Sequence, residues 1–117
     1  MSARKPRPPD PSHLLPLTDL AFSVLLALSG AELHGYALLM ELRGRTGREQ
    51  LRTGTVYAAL SRLQDDGLVE EVDGSGDKRR RHYGLTALGR AAARAEAERL
   101  REVLALARRK RVLPEAR

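Results

Sequence analysis

Between Thr53 and Thr86 the sequence changes its hydrophobic period twice, and this sets the frame for the rest of the chain. In "TGTVYAALSRLQDDG" (Thr53 to Gly67) the apolar residues fall at helical spacing. At about 100° per residue Val56, Ala59, Leu60 and Leu63 form one stripe, the core face. Thr53 or Thr55 is placed to cap this helix and Gly67 to close it. Next come "LVEEV" (Leu68 to Val72) and "RRHYGL" (Arg80 to Leu85), short runs of β-type residues with partial alternation. The turn residues of "DGSGDK" (Asp73 to Lys78) join them, which predicts a hairpin. Thr86 then caps a final helix of mostly Ala, Leu, Arg and Glu, running to about Val112.

The chain before Thr53 supplies two more helices. Residues 1–16 hold five prolines among basic and small residues, which predicts a flexible arm. Thr18 is a plausible N-cap for "LAFSVLLAL" (Leu20 to Leu28), a run so apolar all round that its helix should be deeply buried. A second helix starts near His34 and Gly35, with Tyr36, Leu39, Met40 and Leu42 on its apolar side and Gly44 as its stop. "RTGREQ" (Arg45 to Gln50) is a polar turn. The fold class is therefore mainly α with a small β-hairpin (α+β), and 117 residues suffice for one core.

Charge is informative by position rather than by total. The net charge of +6 resolves into 13 basic and 13 acidic residues between Leu17 and Ala107, with the excess in the two tails. Within this balanced middle, Lys78, Arg79, Arg80 and Arg81 stand in a row at the tip of the hairpin. Such self-repulsion suits either a solvated loop tip or an anionic partner lying over it. The absence of Cys excludes disulfides, thiolate metal sites and cysteine nucleophiles. The scattered His13, His34 and His82 make a poor metal constellation, so no metal and no cofactor is expected. No phosphate loop, HExxH or carboxylate pair with a neighbouring His is visible, so no enzyme is expected. Leu20 to Leu28 is about half of the roughly 20 residues that cross a bilayer, and the N-terminus lacks an apolar signal region. The expectation is a cytoplasmic protein.

Three helices, a hairpin and a further helix follow the order of a winged helix-turn-helix. From "LHGYALLMEL" (Leu33 to Leu42), "GTVYAALSRLQDDGLVEE" (Gly54 to Glu71) and "RRRHYGLTALGR" (Arg79 to Arg90), the chain resembles the PadR-type transcriptional regulators over about Leu17 to Val112. The resemblance implies a cytosolic homodimer that binds double-stranded operator DNA and represses transcription, usually relieved by a small-molecule effector, here of unknown identity. It implies that the third helix enters the major groove, that the hairpin wing contacts the backbone or minor groove, and that the last helix builds the dimer. The domains are then the arm (1–16), the winged helix-turn-helix (17–85) and a C-terminal dimerisation helix (86–113). One departure is Thr53, where the family commonly has Pro before the Gly-Thr pair. Some relatives stack flat aromatic effectors on tryptophan in the dimer pore. This chain has no Trp, and its aromatics are Phe22, Tyr36, Tyr57 and Tyr83, so that mechanism does not carry over.

The residue chemistry agrees with the resemblance. Opposite the core stripe of the third helix lie Ala58, Ser61, Arg62 and Asp65, flanked by Thr55 and Tyr57, a face narrow enough for a DNA groove. Thr53, Thr55 and Tyr57 offer hydroxyls near the helix N-terminus, and Arg62 is the best candidate for a base edge or nearby phosphate. Gly35 is expected to permit a tight helix entry and Tyr36 to be partly buried with its hydroxyl toward a phosphate. In a strand, Arg79 and Arg81 point to one face and Arg80 to the other. Phe22, Leu88, Ala92, Leu100, Val103, Leu104 and Ala107 are the candidates for a dimer contact, with Arg99 interrupting the stripe. The "RRKR" at Arg108 to Arg111 would also suit a membrane-surface helix, which lacks an aromatic anchor here. The alternative to a DNA reader is a winged-helix module that binds protein through the same surfaces.

Overall fold

In the computed structural model, which describes residues 9–45, 47–72 and 81–114, the apolar run after Thr18 forms helix α1 (Asp19–Gly30). Thr18 caps it as expected, its Oγ1 accepting the Ala21 N–H at 3.1 Å. Val24, Leu25, Ala27 and Leu28 are buried, but Leu26 is 41% exposed on the outward side. Burial of α1 is thus one-sided rather than complete. Before it, Ser12–Leu14 form a short 3-10 turn, with Leu14 partly buried against the core.

A two-residue strand, β1 (Leu33–His34), leads into α2 (Gly35–Arg43). His34 caps α2, its Nδ1 accepting the Ala37 N–H at 3.1 Å. At the other end Gly44 has φ −71°, ordinary right-handed backbone, so its stop does not use glycine's freedom. The left-handed glycine is Gly47, at φ +82° in the following turn.

Helix α3 (Thr53–Asp65) begins earlier than either threonine cap implies. Its N-cap is Arg52, which makes no side-chain capping bond, and Thr53 and Thr55 lie inside the helix. The cause is upstream. Arg43 Nε donates to the Leu51 carbonyl at 2.8 Å and pins the entry, so the Arg52 carbonyl takes the first N–H groups, from Thr55 and Val56. The C-terminus is as expected: Gly67 is left-handed at φ +76°. Around it, Leu68 N–H bonds the Leu63 carbonyl at 2.9 Å and Gly67 N–H bonds that of Gln64 at 3.0 Å.

Strands β2 (Val69–Val72) and β3 (His82–Leu85) form the expected hairpin, and their linker, residues 73–80, lies outside the described residues. The sheet has a third strand that the sequence reading lacks, because β1 pairs antiparallel with β3 in the order β1-β3-β2. Leu33 faces Tyr83 and His34 faces His82, so the wing base is tied to the start of α2. Tyr83 is buried and paired with Glu71. Burial first, and then the Glu71 carboxylate, push its phenol above the ordinary tyrosine range. The fold therefore favours the neutral phenol, and this stability is present below the ordinary value of about 10 and lost as pH rises through the higher folded value. The expected result is a falling unfolding midpoint above about pH 10, with Tyr83→Phe flattening the decline. An equally steep decline in that variant would contradict the assignment.

Helix α4 (Ala87–Arg109) is capped by Thr86, whose Oγ1 accepts the Gly89 N–H at 3.0 Å. It ends a turn short of Val112, because Arg111 takes the left-handed conformation at φ 60° and Val112 N–H bonds the Ala107 carbonyl at 2.9 Å. The first half of α4 closes the core: Ala92 and Ala93 join Leu25, Leu38, Leu60 and Leu68 in one cluster.

Glu96, only 2% exposed, ties α4 to the start of the domain. Its Oε2 accepts the Leu17 N–H at 3.2 Å, and Arg99 neutralises it through Nε at 2.5 Å and Nη2 at 3.1 Å. Arg99 thus interrupts the apolar stripe because it serves a buried carboxylate. Arg99→Ala would leave that charge buried with one donor, at an expected cost of about 3 kcal/mol. Glu96→Gln keeps an acceptor for Leu17 and frees an arginine that is already 39% exposed, so the expected cost is about 1 kcal/mol. Denaturant midpoints of the two variants check this order, and a reversed order would contradict it.

Candidate nucleic-acid interface

Val56, Leu60 and Leu63 anchor α3 in the core, with Ala59 half-buried beside them. The stripe predicted from spacing is the buried one. On the other side Thr53, Thr55, Tyr57, Ala58, Ser61, Arg62 and Asp65 are all exposed. Arg62 is the single long cation on this face, and no acid lies within ion-pair distance of it among the described residues. An exposed, uncompensated guanidinium flanked by small side chains can reach into a groove without steric hindrance.

The first turns of α2 and α3 each carry a tyrosine, Tyr36 and Tyr57. Tyr36 is 65% exposed rather than partly buried. The reason is that α2 buries Gly35, Leu38, Leu39 and Leu42, which turns Tyr36 outward. Gly35 also differs from expectation. Its backbone lies so close to the phenol of Tyr57 that a Cβ there would collide with the ring and hydroxyl. Gly35 makes room for Tyr57 and so sets where that 45% exposed ring sits between α2 and α3. Tyr36 and Tyr57 thus each offer an exposed phenol with an apolar ring and a hydrogen-bonding hydroxyl.

Of the wing cations, Lys78, Arg79 and Arg80 lie outside the described residues. Arg81 is described, and its Nη1 pairs with Glu71 Oε1 at 3.2 Å, both side chains being near half exposed. An exposed pair contributes at most about 1 kcal/mol, so a phosphate can compete for this arginine. Below it, the His34 and His82 rings meet edge-on with centroids 5.9 Å apart, bracing the wing base against α2.

The second half of α4 offers a different surface. Val103, Leu104 and Leu106 are each more than 40% exposed, while Leu100 and Ala107 are half-buried. Phe22 and Leu88 are also half-buried. Ala92 is 0% exposed inside its own chain, so it has no surface left for a partner and leaves the set of dimer candidates. Leu26 and Leu106 are exposed apolar residues that the sequence reading passed over. Leu26 was hidden by its uniformly apolar run. Among the described residues no helix is long and apolar enough to cross a membrane.

Residues 24–95, more than half of the chain, match the profile of the "Transcriptional regulator PadR-like family". The chain belongs to the PadR-like family of transcriptional regulators. The matched span runs from within α1 through the first half of α4, so it includes the whole α3 face and both hairpin strands. A PadR family regulator from hypervirulent Clostridium difficile R20291 is similar in fold, with a TM-score of 0.67 at 21% identity over 79% of this chain and 97% of that one. A PadR-like regulator from Bacillus cereus strain ATCC 14579 gives 0.68 at 23% identity, over 83% and 93%. H. salinarum RosR is 31% identical over 84% of this chain and 88% of its own, with a TM-score of 0.64. No curated protein matches the chain. The PadR-like architecture of four helices and a small three-stranded sheet, among the described residues, is that of a winged-helix DNA-binding regulator.

Proposed function

We propose that this PadR-like protein is a dimeric repressor that binds an inverted-repeat operator, with α3 in the major groove and the wing on the backbone or minor groove. The observation that carries this reading is the outward face of α3. Its core side is fixed by Val56, Leu60 and Leu63, while Thr55, Ala58, Ser61 and Arg62 stand exposed on a narrow ridge. Tyr36, Tyr57 and the wing cations Lys78 to Arg81 supply the contacts that set orientation rather than sequence. The exposed stripe of Val103, Leu104 and Leu106 is the surface that a second copy covers, together with Phe22 and Leu100.

A two-fold dimer places its two recognition helices about one helical turn apart on DNA, roughly 34 Å. Nuclease protection on the DNA upstream of the protein's own gene should therefore show two symmetric half-sites at that spacing. Protection of one asymmetric half-site by a monomer would contradict the proposal.

A further inference from the structure

A half-open groove of about 480 Å³ runs between the N-terminal segment, the first turn of α1 and α3. That volume lies within the roughly 300–1,000 Å³ of small-molecule sites. Leu14, Leu17, Leu20 and Ala21 form one wall, all partly buried against the core, and Leu63 belongs to the core itself. The opposite wall is the outward side of α3, including Thr55, Ala58 and Arg62.

The groove is built rather than incidental. Glu96 holds the backbone of Leu17, Thr18 caps α1, and Arg48 pairs with Asp19 beside that cap. These contacts fix the first wall from three different elements. The core fixes the second through Val56, Leu60 and Leu63.

The lining also states what chemistry fits. Among the described residues Arg62 is its only cation, and no acid pairs with it. Asp66 is its only acid among the described residues and sits one turn further along, at the C-terminal end of α3 where the helix dipole is also negative. An anionic group is therefore accepted on the Thr55 side of Arg62 and repelled on the other. An apolar body would lie over Leu14, Leu17 and Leu20.

We propose that this groove binds an amphipathic organic anion, with its carboxylate or sulfonate on Arg62, and that this ligand and DNA exclude each other because both require Thr55, Ala58 and Arg62. The inference rests on the reading of α3 as the DNA-contacting helix. Release from DNA then needs no rearrangement of the dimer, since the ligand covers the reading face itself.

The dye 8-anilinonaphthalene-1-sulfonate, an apolar aromatic body with one sulfonate, is a suitable probe for the full chain. Dye emission should rise on binding and fall when a duplex from the upstream region is added. Ala21→Leu, which fills the groove from α1, and Leu14→Asn, which makes its wall polar, should each weaken dye binding about tenfold. Both positions are off the DNA-facing side, so both variants should keep DNA affinity within about threefold. Thermal melts establish that each variant is folded, and one folded variant is sufficient. Dye binding that is absent, that ignores both substitutions, or that persists on the DNA-bound protein overturns the proposal. If the wild type binds dye in this substitution-sensitive way yet binds no DNA, the groove stands as a ligand site. In that case the DNA reading and the mutual exclusion fail.

Discussion

Replacing Gly89 by alanine should cost about 3 kcal/mol or more, a large share of the about 5–15 kcal/mol that keeps a domain folded. An added Cβ would fall on the carbonyl oxygen of Leu68. That carbonyl cannot retreat, because it accepts the Thr86 N–H at 3.2 Å and its residue is 0% exposed. The N–H of Leu68 also makes the closing bond of α3. Helix α4 would have to move instead, taking Ala92, Ala93 and the Glu96 tether with it. Gly35→Ala makes the useful contrast. There the obstacle is the outer end of a half-exposed Tyr57 side chain, which can swing into solvent, so stability should change by less than about 1 kcal/mol. Denaturant unfolding of both variants decides the matter, and a Gly89→Ala protein as stable as the wild type would contradict the packing described here.

Arg62→Ala should weaken binding to the preferred DNA site by about tenfold or more and change which sequence is preferred. The guanidinium stands alone on a ridge of Ala58 and Ser61, with no acid to hold it back among the described residues. Removing it takes away the one long cation on that face among the described residues. Substituting Arg79 and Arg80 together should act differently, lowering affinity for all sequences alike and reducing the magnitude of the dimer's salt slope by about 2 to 4, for one or both arginines in each protomer. Gly35→Ala adds a third pattern: loss of DNA affinity without loss of stability, because only the placement of Tyr57 changes. If Arg62→Ala leaves both affinity and preference untouched, base reading does not occur through α3.

The parts of this molecule that were legible in the sequence are those fixed by local rules. Thr18 and Thr86 cap their helices through a single side-chain oxygen, Gly67 closes α3 by its left-handed backbone, and the Val56–Leu60–Leu63 stripe follows from helical period alone. What stayed hidden depends on distant parts of the chain. Strand β1 is two residues long and exists only because β3 offers it a partner. Gly35 looks like a turn residue until Tyr57 is seen lying on it. Glu96 reads as one more charge in an Ala, Arg and Glu helix, and its burial depends on Leu17 arriving from the other end of the sequence. Ala92 shows the same limit from the apolar side: a small residue on a helix stripe does not reveal whether its own chain or a partner covers it.

The most direct test of sequence-specific DNA binding is a salt titration with two duplexes of equal length, one from the protein's own upstream region and one scrambled. If each protomer neutralises about three phosphates, log affinity should fall with log salt at a slope near −5. The upstream duplex should also be preferred by about 10³-fold or more. A flat slope with weak, equal binding to both duplexes would contradict a DNA-binding role for α3 and the wing, and would leave a winged-helix module that binds protein.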